Sequence, residues 1–244
     1  MTAIKTCLGL MSGTSLDGID LALLETDGEA HIVALRDGFQ AYAASTRAAL
    51  REVMDIAAAL PTPVLADLAL WPSELISAEA LVTQAHMEAV QNFLRPSQQD
   101  ISLIGFHGQT IVHRPAEGFT LQIGDGQALA QSLGIDVIGQ FRRADMAAGG
   151  EGAPLAPLYH AALARGPRPQ AVLNLGGIAN ITWLGAQDNI LAFDTGPANA
   201  LLDDWVQQKT TRAYDENGNL AAQGEVDPMA LSALMAHPFF SAPP

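Results

Sequence analysis

Cysteine, basic side chains and long apolar runs are what this chain has little of, and each shortage excludes something. Its 244 residues include one cysteine, Cys7. No intramolecular disulfide can form, which fits a reducing compartment. Cys7 sits in an apolar strand-like run, so a buried core thiol accounts for it better than a nucleophile does. Lysine and arginine number 12 against 26 aspartates and glutamates, for a net charge of −14. Nucleic acid needs a basic footprint, and none is visible. No apolar run approaches the roughly 20 residues of a membrane span. The patch CLGLM is too short for a signal segment and is interrupted by Ser12 and Gly13. Charged residues make up only 16% and hydrophobic ones 49%, so the chain has ample material for a core. The expectation is a soluble, cytoplasmic protein that binds neither nucleic acid nor membrane.

What is present is one pattern used twice. CLGLM, SGTSLDG and IDLALLE read as strand, turn and strand; after the linker GPRP (166–169), AVLNL, GG and IANITWL read the same way. Two such hairpins suggest two related subdomains. Between them, HIVAL (31–35) reads as a strand. A helix follows from a Ser45 cap to about Leu60, stopped by Pro61 and Pro63, and a longer one runs from Ser73 to about Leu94, stopped by Pro96. ISLIGF (101–106), FTLQI (119–123) and IDVI read as strands. GQALAQSL reads as a helix closed by Gly134, and another helix spans about Leu155 to Arg165. ILAF (190–193) is a strand expected to end at Asp194.

Several residues carry chemistry. The stretch Ser12, Gly13, Thr14, Ser15, Leu16, Asp17, Gly18, Ile19 and Asp20 combines glycines that let backbone wrap a phosphate with hydroxyls that can bond it. Asp17 and Asp20 would repel bare phosphate, so an acid here implies a cation, and Asp17 is the candidate partner of Mg²⁺. A plain type I′ turn is the rival. Asn174, Gly176, Gly177 and Asn180 offer a second loop of the same kind, though a GG pair alone is a weak signal. Asp194, placed at a strand end before Thr195–Gly196–Pro197, is either a crevice carboxylate or a helix cap. His107, Gly108, Gln109 and Thr110 read as a polar, hydrogen-bonding turn; His107 and His113 have no third metal ligand at suitable spacing. Arg142, Arg143 and Asp145 bring an arginine fork suited to a carboxylate, with surface pairing an equal rival for Arg143. Met54, Met87 and Met146 are core filler.

The segments LGLMSGTSLDGIDLALLE, IGFHGQTIVHRP, TLQIGDGQALA, FRRADMAAGGEGAPLAP, LNLGGIANIT and FDTGPAN, in that order, resemble the 1,6-anhydro-N-acetylmuramic acid kinases of bacterial cell-wall recycling from about Leu8 onward. The resemblance implies an α/β fold of two ribonuclease H-like subdomains of the sugar kinase and actin type. These would be 1–166 and 167–244, the second incomplete. It implies ATP with Mg²⁺, a homodimer, and a reaction that opens the anhydro bridge with water and phosphorylates the freed hydroxyl. Asp194 would be the general base. Ser12 to Asp20 with Asn174, Gly176, Gly177 and Asn180 would hold ATP, and His107, Gln109, Thr110, Arg142, Asp145 and Thr195 would hold the sugar. The chain departs from the family's pattern at Ala198, Gln140 and Glu151, and ends at Pro244, before the family's later glycine-rich and acidic segments. The alternatives are a truncated, catalytically impaired nucleotide-binding relative, or a kinase of this fold for another small sugar or acid.

Overall fold

The structure, a computed structural model, describes residues 3–29, 31–95 and 100–241. The chain divides into two compact units, Met1–Leu155 and Ala156–Pro244, each mixing strands and helices.

In the first unit the apolar–turn–apolar opening folds into an antiparallel pair. β1 (Lys5–Ser12) and β2 (Gly18–Thr26) place Leu10 opposite Leu21 and Met11 opposite Asp20. β3 (Ile32–Ala41) lies antiparallel on the outer side of β2, six residues beyond the HIVAL segment, because RDGFQA continues the ladder in alternation. β4 (Leu103–Arg114) runs parallel to β1, and β5 (Phe119–Ile123) turns back antiparallel on β4. The sheet order is β3-β2-β1-β4-β5, with the short β6 (Val137–Gly139) parallel to β4. The segment His107 to Thr110, expected as a turn, is strand. Gln109 to Arg114 find partners on β5, so the ladder carries β4 straight through its polar residues. The actual reversal is at Pro115–Glu117, closed by Gly118 at φ 63°, a conformation that costs a residue with a Cβ.

Helix α1 (Ala44–Ala59) packs on α3 (Ser73–Leu94), and both contribute to the sheet's core. Buried positions on α3 recur at helical spacing: Leu75, Ala78, Val82, His86, Ala89 and Val90. With Leu50 and Val53 of α1 and Leu8, Leu23 and Ile104 of the sheet they form one core. Each large aliphatic side chain buried there is worth roughly 1.5–3 kcal/mol. Ser45 does not cap α1; the cap position is Ala43, without a side-chain bond, and Ser45 lies in the first turn. Arg114 closes the other end, donating to the carbonyls of Ala57, Ala58 and Leu60. Pro61 and Pro63 end α1 and also open a short helix, α2 (Thr62–Ala66), since a first turn needs no N–H from proline. Pro96, expected to stop α3, lies outside the described residues. α4 (Gly126–Leu133) is capped by Asp125 and closed by Gly134 at φ 68°. α5 (Phe141–Ala147) has no counterpart in the sequence reading; it starts from Gln140 in a left-handed conformation without a side-chain cap.

The second unit opens with α6 (Ala156–Leu163), and the GPRP segment follows that helix. Three antiparallel strands come next: β7 (Gln170–Leu175), β8 (Ile178–Leu184) and β9 (Ile190–Pro197). Then come α7 (Asn199–Lys209) and α8 (Pro228–Met235). Here few apolar side chains are buried, among them Leu184 and Val206, while Leu175, Ile178, Leu202 and Trp205 are more than half exposed.

Candidate active site

The loop between β1 and β2 is a fixed object. Its turn is closed by the Leu16 N–H on the Gly13 carbonyl at 3.1 Å. Leu16 holds φ 57° and is 3% exposed, so its side chain nails the loop to the core. Asp17 Oδ1 accepts from Ser15 Oγ at 2.7 Å and from the Gly18 N–H at 3.1 Å, and the Asp17 carbonyl accepts from the Tyr42 N–H. Buried Ser12 donates to the Gly108 carbonyl, and Gln109 Nε2 donates to the Gly13 carbonyl at 3.0 Å. Thr14, Ser15 and Asp17 are exposed. The two glycines differ. A Cβ at Gly18 would come within 2.3 Å of the Gln40 carbonyl oxygen, so Gly18 serves the β2–β3 approach. At Gly13 a Cβ would meet nothing closer than 3.6 Å; the protein's own packing does not require glycine there. Ile19 is fully buried, so only its backbone faces the loop. Burial and the nearby Asp17 carboxylate both raise the pKa of Asp20. Two neighbouring carboxylates beside open backbone fit Mg²⁺, which is held by one or two carboxylates together with phosphate oxygens and water. Among the described residues no group of three or more His, Cys, Asp or Glu gathers as an all-protein metal site.

In the second unit the register aligns the candidate residues. Asn174 pairs with Asn180 across β7–β8, and Asn180 pairs with Asp194 across β8–β9. Directly opposed residues share a sheet face, so two carboxamides and a carboxylate stand in one row. Asp194 is therefore inside β9 and not at its end: the strand continues to Pro197 because Ala179 and Ile178 still offer partners. A bulge at this point leaves Thr195 as the extra residue, and its hydroxyl donates to the Ala179 carbonyl at 3.2 Å. The helix-cap alternative for Asp194 also falls, because the cap position of α7 is Ala198. Gly176 and Gly177 turn their carbonyls to the start of α7, accepting from the N–H groups of Asn199, Ala198 and Ala200.

Back in the first unit, His107 and Arg142 meet although 35 residues apart. Arg142 Nε donates to His107 Nε2 at 2.9 Å, and His107 Nδ1 donates to the Gly108 carbonyl. Burial first, and the guanidinium second, lower the His107 pKa, so the ring is neutral with its proton on Nδ1. Arg142 also donates to the Gly152 carbonyl, and Asp145 accepts from the Gly152 N–H, both at 2.8 Å. These bonds wind the AGGEG segment onto α5. His107, Gly108, Gln122 and Gln140 line a cleft of about 950 Å³. Of the expected sugar ligands, His107, Arg142 and Asp145 are brought together. Gln109 is fully buried beneath the β1–β2 loop, Thr110 accepts from Gln122 Nε2, and Thr195 belongs to the second unit.

Residues 5–244 match the family model described as Anhydro-N-acetylmuramic acid kinase. The chain belongs to that family. It is 51% identical to the anhydro-N-acetylmuramic acid kinase of Rhizorhabdus wittichii over 97% of this chain. The kinases of Zymomonas mobilis and Methylobacterium nodulans are 50% and 48% identical, over 96% and 97% of it. The chain spans 65%, 65% and 66% of the length of these three relatives. Among solved structures, a Ppx/GppA family member from Aquifex aeolicus overlaps with a TM-score of 0.39 at 11% identity, over 83% of this chain and 54% of that one, too little to bear on the fold.

The family motifs map onto these features, and two neighbours of the cleft were missed by the sequence expectations. Glu79 falls within the apolar stripe of α3, four residues after Leu75 and three before Val82, and an acid at such a position is the signal that could have marked it; it lines the cleft, accepts from the Gly124 N–H, and has its pKa raised chiefly by burial. His86, fully buried on the same helix, stacks edge-on against Phe106 at 5.0 Å beside His107. Its helical spacing marks it as core, but nothing in the spacing tells that the core there is a histidine's.

Proposed function

We propose that the protein is an ATP-dependent kinase that hydrolyses the anhydro bridge of 1,6-anhydro-N-acetylmuramic acid. It phosphorylates the freed 6-hydroxyl to give N-acetylmuramic acid 6-phosphate, in the cytoplasm, as part of cell-wall recycling. The observation that carries this reading is the family match over residues 5–244. On this reading each unit is a ribonuclease H-like subdomain and the protein works as a homodimer. The open face at Gly13, the Thr14 and Ser15 hydroxyls and the backbone of Ser12 to Asp20 contact phosphate; Asn174, Gly176, Gly177 and Asn180 do so in the second unit. Mg²⁺, held by Asp17 with Asp20 nearby, supplies neutralisation of phosphate charge. His107, Arg142 and Asp145 orient the sugar, with the unspent Nη2 of Arg142 available to its carboxylate. Gln109 and Thr110 support that surface from within β4.

Asp194 holds the attacking water and takes its proton as the water adds to the anomeric carbon. The C1–O bond of the bridge breaks, and the departing oxygen takes the γ-phosphoryl group as its bond to the β-phosphate oxygen breaks and ADP leaves. Its place in the Asn174–Asn180–Asp194 row supports this role, because two carboxamides beside it can orient water without competing for the proton. Asp194→Asn, made in a chain of the relatives' full length, tests it. General-base help is worth about 10²–10⁴ in rate, so kcat should fall by that much with KM for the sugar little changed. A rate within a few-fold of the parent overturns the assignment.

A further inference from the structure

A second cavity, of about 460 Å³, lies in the first unit between the α2 segment, β5 and α5; it shares Glu79, Gln122 and Gln140 with the cleft beside His107, and its remaining walls have no role assigned above. Its volume suits a small organic ligand. One wall is apolar, made by Leu65, Trp71 and Phe119, and the Trp71 ring is fixed there by its Nε1–H on the Leu65 carbonyl at 2.9 Å. Three polar groups also face it: Arg143, Glu79 and Gln122. Among the described residues neither Arg143 nor Glu79 has an ion-pair partner; Arg143 makes only a 3.4 Å bond to the Gln140 carboxamide, and Glu79 accepts from the Gly124 N–H. Gln122 is 9% exposed and spends its Nε2 on Thr120 Oγ1 at 2.8 Å and Thr110 Oγ1 at 3.3 Å. That leaves its buried Oε1 with no hydrogen-bond partner among the described residues, a group that costs free energy until a donor reaches it.

A plain anion entering this cavity would meet the Glu79 carboxylate, and a plain cation would meet the Arg143 guanidinium. A ligand carrying both charges satisfies both. We propose that this cavity binds an amino acid or short peptide whose amino and carboxyl groups are free and whose side chain is apolar. The carboxylate goes to Arg143, where a fork geometry is available. The ammonium goes to Glu79, an N–H goes to Gln122 Oε1, and the side chain lies on Trp71. The proposal does not require the kinase reading, although the cavity borders the cleft that reading gives to the sugar.

Calorimetric titration with glycyl-L-leucine tests it, beside N-acetylglycyl-L-leucine, which has lost the ammonium, and glycyl-L-leucinamide, which has lost the carboxylate. The dipeptide should give saturable heat and each blocked analogue should bind at least about tenfold more weakly. Arg143→Gln and Glu79→Gln should each weaken the dipeptide by a similar factor at unchanged melting temperature. Absence of saturable heat, equal binding of the blocked analogues, or undiminished binding by both variants overturns the proposal. The analogues decide without any substitution, so a variant that folds poorly does not leave the question open.

Discussion

Replacing His86 should remove an acid-sensitive component of the first unit's stability. The ring is fully buried, its Nδ1–H donates to the Val82 carbonyl at 2.8 Å, and its Nε2 has no partner among the described residues. A second proton would have to sit on Nε2 beside Phe106, with the His107 ring nearby. Burial therefore lowers its pKa from 6.5 to about 4. The unfolded chain takes that proton near 6.5, so between these values the unfolded state binds more protons. The contribution is complete above about 6.5 and is lost as pH falls toward 4, and the gap corresponds to ~3 kcal/mol. His107, lowered by burial and Arg142, acts in the same direction, so wild type alone does not isolate His86. The assay is urea unfolding read from Trp71, with Trp183→Phe and Trp205→Phe to silence the second unit. Wild type should lose ~3 kcal/mol more than His86→Met between about pH 7 and about pH 4. Equal losses would show that His86 is not held neutral in the folded core.

Three further outcomes follow from the packing. Gly18→Ala should destabilise the first unit by roughly 1–3 kcal/mol, since the added Cβ meets the Gln40 oxygen and Ala41 Cα, whereas Gly13→Ala should leave its melting nearly unchanged and Gly13→Val should weaken ATP without changing sugar affinity. Arg114→Met removes donors to three carbonyls at the end of α1 and to Thr62 Oγ1, and should cost roughly 1–3 kcal/mol in chemical denaturation. In the second unit, exposed Leu201, Leu202 and Trp205 should bind a hydrophobic dye, and Trp205→Gln should reduce its emission; a chain that leaves the dye unaffected would contradict that exposure.

The hairpins β1–β2 and β7–β8 were legible because apolar alternation on either side of small residues leaves few other structures available. The helix α3 was legible because one apolar stripe runs its whole length, and Gly134 because only a left-handed closing residue suits that position. His107 to Thr110 misled because polar residues usually mark a turn, and here Gln109 is buried with its amide spent on the Gly13 carbonyl. Asp194 was placed at a strand end because the glycine and proline after it look like a turn; partners on β8 keep Gly196 and Pro197 in the strand. α5 was illegible because it begins without a capping side chain. At the candidate site, residue types and the two hairpin loops were readable, and the contacts between separate segments were not. The Arg142–His107 bond joins positions 35 residues apart and depends on the winding of residues 145–152 onto α5, while the Asn174–Asn180–Asp194 row is set by the register of three successive strands.

The central claim is that water opens the sugar's anhydro bridge while the freed oxygen receives the phosphoryl group. The most direct measurement is mass spectrometry of the products formed in oxygen-18 water from ATP, Mg²⁺ and 1,6-anhydro-N-acetylmuramic acid, using a chain of the relatives' full length. The expected result is N-acetylmuramic acid 6-phosphate carrying one heavy oxygen at C1 and none in its phosphate. Heavy oxygen in free inorganic phosphate with no sugar phosphate formed would mean that water attacks ATP instead, and would contradict the account.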